Sequence, residues 1–153
     1  MDKIMIIDDE ESILKSLQRS LRGREDWDVE VYSNPEQALR RLQTSIFDVV
    51  ISDCNMPGIS GLDLFQELKE LQPDAVRILL TGMVNVETVI AAVNKAGAFR
   101  FISKPWEDDE LINSIEEGIA QRRMIVENRI LAQRVRDQQR ELEALKNSFS
   151  VQS

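Results

Sequence analysis

The chain has no histidine and a single cysteine, Cys54, so it lacks the residues needed for a disulfide framework or a Cys/His metal site. Positive charge is also scarce, because 27 acidic against 19 basic residues give a formal net charge of −8. Nucleic-acid and anionic-membrane surfaces need a positive footprint, so we expect neither kind of binding. The sequence has no apolar run long enough for a signal peptide or a membrane span. These absences predict a cytoplasmic protein, and its acidity suits a cation site with oxygen ligands.

Apolar segments and helical patterns alternate along the 153 residues. Apolar strands are predicted at 4–7, 29–32, 49–51, 77–82 and 99–103, and the connections between them have the 3.6-residue period of helices. Asn34 and Pro35 are typical of a helix start, Gly23 and Gly97 of helix ends, and Asn85 is expected to cap the fourth helix. This alternation predicts an α/β domain with a five-stranded parallel sheet in three layers.

Polar residues stand where the predicted strands end. Asp8 and Asp9 follow the first strand, Asp53 the third, Thr81 the fourth and Lys104 the fifth. The carboxyl ends of parallel strands lie at one edge of the sheet, where ligands bind in open α/β folds. Carboxylates held close together repel one another unless a divalent cation is present, and oxygen ligands suit Mg²⁺. A hydroxyl and an ammonium group would bind phosphoryl oxygens, with Asp53 as a nucleophile that forms an acyl phosphate.

Each of these residues also has an ordinary explanation when it is taken alone. Asp53 could simply open a turn, and Asp8 and Asp9 could favour the positive end of the first helix. Thr81 could be an ordinary strand residue, and Lys104 could form a surface ion pair. Their joint occurrence at successive strand ends favours a site over these separate explanations.

Four segments resemble the motifs of a known family, the receiver domains of two-component response regulators, and the resemblance covers residues 3 to about 120. Residues 7–11 resemble the family's acidic pair after the first strand, and residues 53–61 its phosphoacceptor loop. Residues 80–82 resemble its switch hydroxyl with a small neighbour, and residues 103–106 its lysine-proline pair. Residues 77–82 and 100–106 further resemble the subgroup often joined to HD-GYP-type outputs. The resemblance implies a flavodoxin-like fold with strand order 2-1-3-4-5, and a sensor histidine kinase or phosphotransfer protein as donor.

The same resemblance assigns roles to individual residues. It implies Asp53 as phosphoacceptor, with Mg²⁺ held by Asp9, Asp53 and the backbone carbonyl of Asn55, and by Asp8 largely through water. It also implies a set of phosphate-binding and switch residues, which are Thr81, Gly82, Lys104 and Phe101. For Phe101 the alternative is an ordinary core phenylalanine.

The C-terminal segment is predicted to be one long helix that begins at Asp108 or Asp109, since no proline interrupts 107–153. From Met124 the apolar residues follow a heptad, which predicts a parallel two-stranded coiled coil and a homodimer. The alternative is a solvated or frayed tail. We therefore expect a receiver domain over 1–121 and a coiled-coil extension over 122–153. The dimerisation residues would be Met124, Asn128, Leu131, Val135, Gln138, Leu142 and Leu145, with Phe149 at the next a position.

These features predict a phosphorylation-controlled switch that relays its state through the C-terminal helix to a downstream output protein or domain. One alternative is a phosphatase-type enzyme with an aspartyl-phosphate intermediate. That enzyme would want a carboxylate two residues after the nucleophile, where this chain has Asn55. The other alternative is a structural coiled-coil adaptor with a silent receiver, which is distinguished by whether Asp53 takes up phosphoryl.

Overall fold

The computed structural model describes residues 1–82 and 86–152, which form strands and helices in strict alternation. The chain divides into two compact units, Met1–Arg122 and Arg123–Ser153. The expected cap at Asn85 lies outside the described residues. The elements are β1 Asp2–Ile7, α1 Glu11–Ser20, β2 Trp27–Tyr32, α2 Pro35–Thr44, β3 Val49–Asp53, α3 Gly61–Leu71, β4 Val76–Thr81, α4 Val86–Asn94, β5 Arg100–Ser103 and α5 Asp108–Gln152.

The five strands form one parallel sheet with the order β2-β1-β3-β4-β5, which confirms the predicted flavodoxin-like topology. In this order β1 and β3 are neighbours, with Ile7 paired to Ser52. The chain crosses to opposite faces of the sheet from these two strands, so their carboxyl ends border the crevice where such folds bind ligands. Asp53 is paired with Leu80, and Thr81 with Ser103, so the ends of β3, β4 and β5 are also close to level.

Alternate side chains of the sheet enter two hydrophobic clusters, as the pleat of a strand requires. On one face, Met5, Val50 and Leu79 pack with residues of α2, α3 and α4. On the other face, Ile6 and Ile51 pack with residues of α1 and α5. The three predicted layers are confirmed, and both faces of the central strands are covered. This burial explains why the strand segments are continuously apolar and lack polar alternation.

The ends of the helices agree with the sequence prediction to within one or two residues. The side chain of Asn34 accepts hydrogen bonds from the backbone N–H groups of Glu36 and Gln37, so the predicted cap of α2 is confirmed. Gly23 adopts a left-handed φ of 95° shortly after α1 ends. Gly97 has a φ of 64° after α4, a conformation in which glycine meets no Cβ penalty.

The apolar faces of α3 and α4 differ from the sequence prediction. On α3, the spacing of Leu68 and Leu71 predicts that the two share an apolar face, yet Leu71 is exposed, while Leu64 is buried. On α4, Ile90 and Val93 are exposed, whereas the small side chain of Ala92 is buried in the cluster against the sheet. Periodicity identifies which residues share a helix face, but these helices turn part of that face to the surface.

The second unit, Arg123–Ser153, is helical through Gln152. The apolar heptad residues Met124, Leu131, Val135, Leu142 and Leu145 are each more than half exposed. Asn128 and Gln138 are exposed as well. The single continuous helix from Asp108 is confirmed, whereas the coiled coil remains a prediction. Among the described residues, no helix combines the length and apolar composition needed to cross a membrane.

Candidate functional site: an acidic cluster at the carboxyl edge of the sheet

Asp53 occupies the carboxyl end of β3, a strand whose five residues are all buried. Its side chain is nearly buried as well. The loop that follows returns to the strand end, where the Gly61 N–H donates to the Cys54 carbonyl over 3.0 Å. A Cβ atom at Gly61 would lie 2.2 Å from the backbone oxygen of Asp53, closer than any real contact allows. Glycine at this position therefore lets α3 begin directly against the strand that carries Asp53.

Three carboxylates meet at this edge of the sheet. One ligand oxygen from each of Asp8, Asp9 and Asp53 lies within 4.8 Å of the others. The Lys104 ammonium donates to Asp8 Oδ2 over 2.8 Å and to Asp53 Oδ1 over 3.1 Å. The other oxygen of Asp8 accepts the N–H of Glu10 over 2.9 Å. The structure thus brings together the carboxylates and the lysine that the sequence placed at separate strand ends.

Burial and neighbouring charge set the protonation equilibria of this cluster. Burial is the strongest influence on the pKa of Asp53, and it raises that pKa. The hydrogen bond from Lys104 lowers the pKa, whereas the charges of Asp8 and Asp9 raise it. Together these effects leave the pKa of Asp53 above the usual aspartate range. Burial alone would lower the pKa of Lys104, but its hydrogen bonds to Asp8 and Asp53 leave the pKa raised. Lys104 therefore remains an ammonium group that partly offsets the repulsion among the carboxylates.

The donor set fits Mg²⁺. The cluster offers only hard oxygen ligands, and it contains more negative charge than one lysine neutralises. Asp9 is the least buried of the three carboxylates, so the cluster is open to solvent on one side, where Mg²⁺ would keep several of its waters. Asp9, Asp53 and Asp8 are the side chains that would hold the ion.

The other predicted site residues are placed as follows. Thr81 is buried at the end of β4, and its carbonyl accepts the Lys104 N–H over 2.7 Å. Gly82 is exposed, and no described residue beyond its chain neighbours lies within 4 Å of the point where a Cβ would stand. Asn55 is exposed in the loop after β3. Phe101 is 40 % exposed on β5, so it is not a plain core residue. It lines a small cavity of about 240 Å³ with residues of α4, outside the carboxylate cluster.

Two contributors to the site were not predicted from the sequence. Gly61 stands at the end of the predicted phosphoacceptor loop, but its close approach to Asp53 depends on how that loop folds back. Trp106 was noted as part of a motif, but the hydrogen bond from its indole to Ser20 Oγ, 3.1 Å long, joins residues far apart in the sequence. No local pattern reveals either contact.

Residues 4–116 match the family described as response regulator receiver domain. The chain belongs to this family, and its fold and acidic cluster are those of the receiver domain of a two-component response regulator. Phosphorylation and Mg²⁺ are general properties of the family. The phosphatase-type and silent-adaptor alternatives are not favoured by these findings.

Relatives and solved structures agree with this assignment. The hydrogenase transcriptional regulatory protein HoxA of Bradyrhizobium diazoefficiens is 34% identical over 116 residues, which are 76% of this chain and 24% of HoxA. The C4-dicarboxylate transport transcriptional regulatory protein DctD of Rhizobium meliloti is 34% identical over 128 residues, which are 84% of this chain and 27% of DctD. The chain thus spans about a quarter of the length of these curated relatives.

Among solved structures, the signal receiver domain of an HD domain-containing protein from Pseudomonas fluorescens Pf-5 aligns with a TM-score of 0.76 at 29% identity. The alignment covers 80% of this chain and 98% of that domain. This neighbour gives loose support to the resemblance to receivers that are joined to HD-type outputs.

Proposed function

We propose that Asp53 is the phosphoacceptor of a Mg²⁺-dependent phosphorylation switch whose donor is a sensor histidine kinase or a phosphotransfer protein. The observation that supports this most directly is the convergence of Asp8, Asp9, Asp53 and Lys104 at the carboxyl edge of the sheet. We propose the cytoplasm as the setting, where the free and buried Cys54 would stay reduced.

In this proposal an Asp53 carboxylate oxygen forms a bond to phosphorus as the phosphorus–nitrogen bond of a donor phosphohistidine breaks. The departing imidazole keeps the electron pair and takes a proton from water. A bound Mg²⁺ would offset the negative charge of the carboxylates and of the incoming phosphoryl group. Lys104, already hydrogen-bonded to Asp53, is in position to donate to a phosphoryl oxygen once the phosphoryl group is in place.

Thr81 and Phe101 form the proposed switch. A phosphoryl oxygen on Asp53 would attract the Thr81 hydroxyl, which belongs to the neighbouring strand. Phe101, exposed in the described state and beside the α4 cavity, would turn inward as the end of β4 moves. The surface formed by α4, β5 and α5 would then differ between the two states, which is what a downstream partner needs to recognise.

The exposed apolar heptad residues of the second unit support a further part of the proposal, a parallel coiled-coil homodimer over 122–153. Asn128 would set the register of the two helices, and Glu141 would pair with Lys146 of the second copy. Phosphorylation would alter how the two copies meet and so act on an output protein or domain.

Mass spectrometry of the chain after incubation with acetyl phosphate tests the phosphoacceptor directly. We expect one added phosphoryl group when Mg²⁺ is present and none when the ion is chelated. Asp53→Asn should abolish the addition, while Asp63→Asn, an aspartate at the start of α3, should not change it. Stable labelling of the Asp53→Asn protein would contradict the assignment. The absence of any labelling in the wild-type chain would favour the silent adaptor.

A further inference from the structure

A hydrogen-bonded group of three residues lies beside Lys104, and we call it the Ser20 latch. Ser20 is the last residue of α1, Asp108 the first residue of α5, and Trp106 stands two residues after Lys104. The Trp106 indole N–H donates to Ser20 Oγ over 3.1 Å. Ser20 Oγ also lies 2.6 Å from Asp108 Oδ1. The latch therefore links two helices to the loop that carries the site lysine.

Donor and acceptor chemistry fixes the direction of these bonds. An indole N–H can only donate, so the Ser20 oxygen accepts from Trp106 and keeps its own hydrogen to donate. That hydrogen has two acceptors in reach, Asp108 Oδ1 at 2.6 Å and the Ser16 carbonyl at 3.1 Å. The carboxylate is closer and charged, so it forms the stronger bond. Asp108 thus orients the hydroxyl so that its oxygen lone pair faces Trp106.

The loop from β5 to α5 receives little other support on this side. A groove of about 640 Å³ lies between α1 and the loop, and Ile13, Ser16, Lys104, Pro105 and Trp106 are among its lining residues. Close packing cannot hold the loop across such a gap. The Trp106 ring packs at the edge of the cluster formed by α1, α5 and the sheet. The Trp106 ring and the Ser20 latch together hold the loop between β5 and α5 in place on the side where the groove leaves it without close packing.

Lys104 must satisfy two acceptors at once, Asp8 at 2.8 Å and Asp53 at 3.1 Å. A displacement of its main chain would lengthen or misalign these hydrogen bonds unless the side chain changed its rotamer. The bond from Lys104 N to the Thr81 carbonyl fixes the loop on the strand side. On the helix side, the latch provides the corresponding restraint.

We propose that Trp106 and Ser20, with Asp108 as the orienting acceptor, are positioning residues that hold Lys104 between Asp8 and Asp53. The consequence for phosphotransfer rests on the proposed function of Asp53, whereas the placement of Lys104 does not. A lysine held by two carboxylates exchanges its ammonium protons slowly with water, so its NH₃⁺ group gives a resolved nitrogen–proton NMR signal. That signal reports the placement independently of any phosphoryl chemistry.

The test compares Trp106→Phe and Ser20→Ala with wild type in the full chain. Phenylalanine keeps an aromatic ring but removes the indole N–H together with part of the ring, while alanine removes only the hydroxyl, so a shared effect of the two variants isolates the hydrogen bond. In both variants we expect the Lys104 NH₃⁺ signal to broaden or vanish while the backbone amide spectrum of the core stays unchanged. Labelling of Asp53 by acetyl phosphate should slow by about tenfold, the scale set by small misplacements of an aligned group.

Two further variants make the comparison specific. Ser20→Thr restores a hydroxyl and should return both the signal and the labelling rate toward wild type. Thr44→Ala also removes a hydroxyl at the end of a helix, one that donates to the Arg41 carbonyl far from the site, and it should change neither. An unchanged Lys104 signal in both Trp106→Phe and Ser20→Ala would overturn the proposal. If wild type takes up no phosphoryl while its Lys104 signal depends on the latch, the function of Asp53 fails and the positioning role stands.

Discussion

Arg122 on α5 lies 3.0 Å from Asp48, the residue immediately before β3, and each side chain is only 21% exposed. The second oxygen of Asp48 accepts the backbone N–H of Lys3 over 2.7 Å. A single carboxylate therefore connects β1 and β3 to α5 at Arg122, the last residue of the first compact unit. This contact lies at the opposite edge of the sheet from the acidic cluster.

Replacing Arg122 with Met should lower the free energy of unfolding of the first unit by about 1–2 kcal/mol, because Asp48 would keep its burial and lose its charged partner. Urea unfolding followed by tryptophan fluorescence measures this, since Trp27 and Trp106 both belong to that unit. Arg136→Met is the matched control, because its guanidinium donates to a neutral partner, Gln133, on the exposed helix. Equal unfolding midpoints for the two variants would show that the ion pair adds no stability.

Gly61→Ala should destabilise the chain by about 2 kcal/mol or more, because the added methyl group would collide with the Asp53 carbonyl and the backbone would have to shift. The same shift should slow phosphoryl uptake. Gly82→Ala is the control for stability, since in the part of the chain that the structure describes its new methyl group would meet nothing within 4 Å. Thermal unfolding compares the two, and a Gly61→Ala variant as stable as wild type would contradict the close approach.

Mg²⁺ should raise the thermal midpoint of the wild-type chain, and a chelator should reverse the increase, because a ligand that binds only the native state stabilises it. At a free concentration 100 times Kd the gain would be about 2.7 kcal/mol. Asp9→Asn should remove most of this gain by withdrawing an ion ligand. Glu25→Gln makes the same change of charge on the exposed surface and should keep the gain. A full response to Mg²⁺ in Asp9→Asn would place the ion elsewhere.

The Glu30 carboxylate should make stability depend on pH. Its pKa is lowered from 4.5, chiefly by hydrogen bonds from Arg41 at 3.0 and 3.1 Å. A carboxylate whose pKa is lower when folded contributes stability above its unfolded pKa, and that contribution is lost as pH falls through the folded pKa. Wild type should therefore be more stable than Glu30→Gln at pH 7, and the difference should close in acid. A difference that is constant from pH 7 to pH 2 would exclude this linkage.

Asn128→Val should strengthen self-association of the chain and loosen its preference for dimers, because a polar residue at an a position costs stability while it specifies register. Sedimentation over a concentration series measures both effects. A chain that ends after Arg122 should stay folded, since it keeps the contact of Arg122 with Asp48. It should also be monomeric, because it lacks the heptad residues of the proposed coiled coil. If this shortened chain associates as strongly as the full one, the helix is not the dimerisation surface.

The sequence predicted the sheet because its strands are buried on both faces, which leaves continuous apolar segments such as Val49 to Ile51. It predicted the strand-end cluster because parallel strands bring Asp53 and Lys104 to one edge wherever they stand in the chain. The distances between the atoms of the cluster could not be predicted from the sequence. The same holds for the hydrogen bonds that Lys104 donates to two carboxylates at once, because no local sequence pattern encodes them. The roles of these residues in phosphotransfer remain predictions.

Other features were beyond sequence analysis because they depend on what covers a surface. The apolar spacing of α4 is equally compatible with burial or exposure of Ile90 and Val93, and only the folded chain shows that both are exposed. The pairing of Arg122 with Asp48 joins an arginine and an aspartate that resemble many other charged residues of this chain. Such contacts follow from the fold and have no pattern of their own.

β3 connects the two polar edges of the domain. Its residues lead from the Asp48 contact to Asp53, a path of about 16 Å at roughly 3.3 Å per residue, and each of them is buried. An extended backbone is already near its full length, and a slip in register by one residue would turn every buried side chain of β3 to the opposite face. Motion that begins at Asp53 cannot travel along β3 as a change in length. β3 is therefore the reference strand against which displacements of α4 and β5 are best measured.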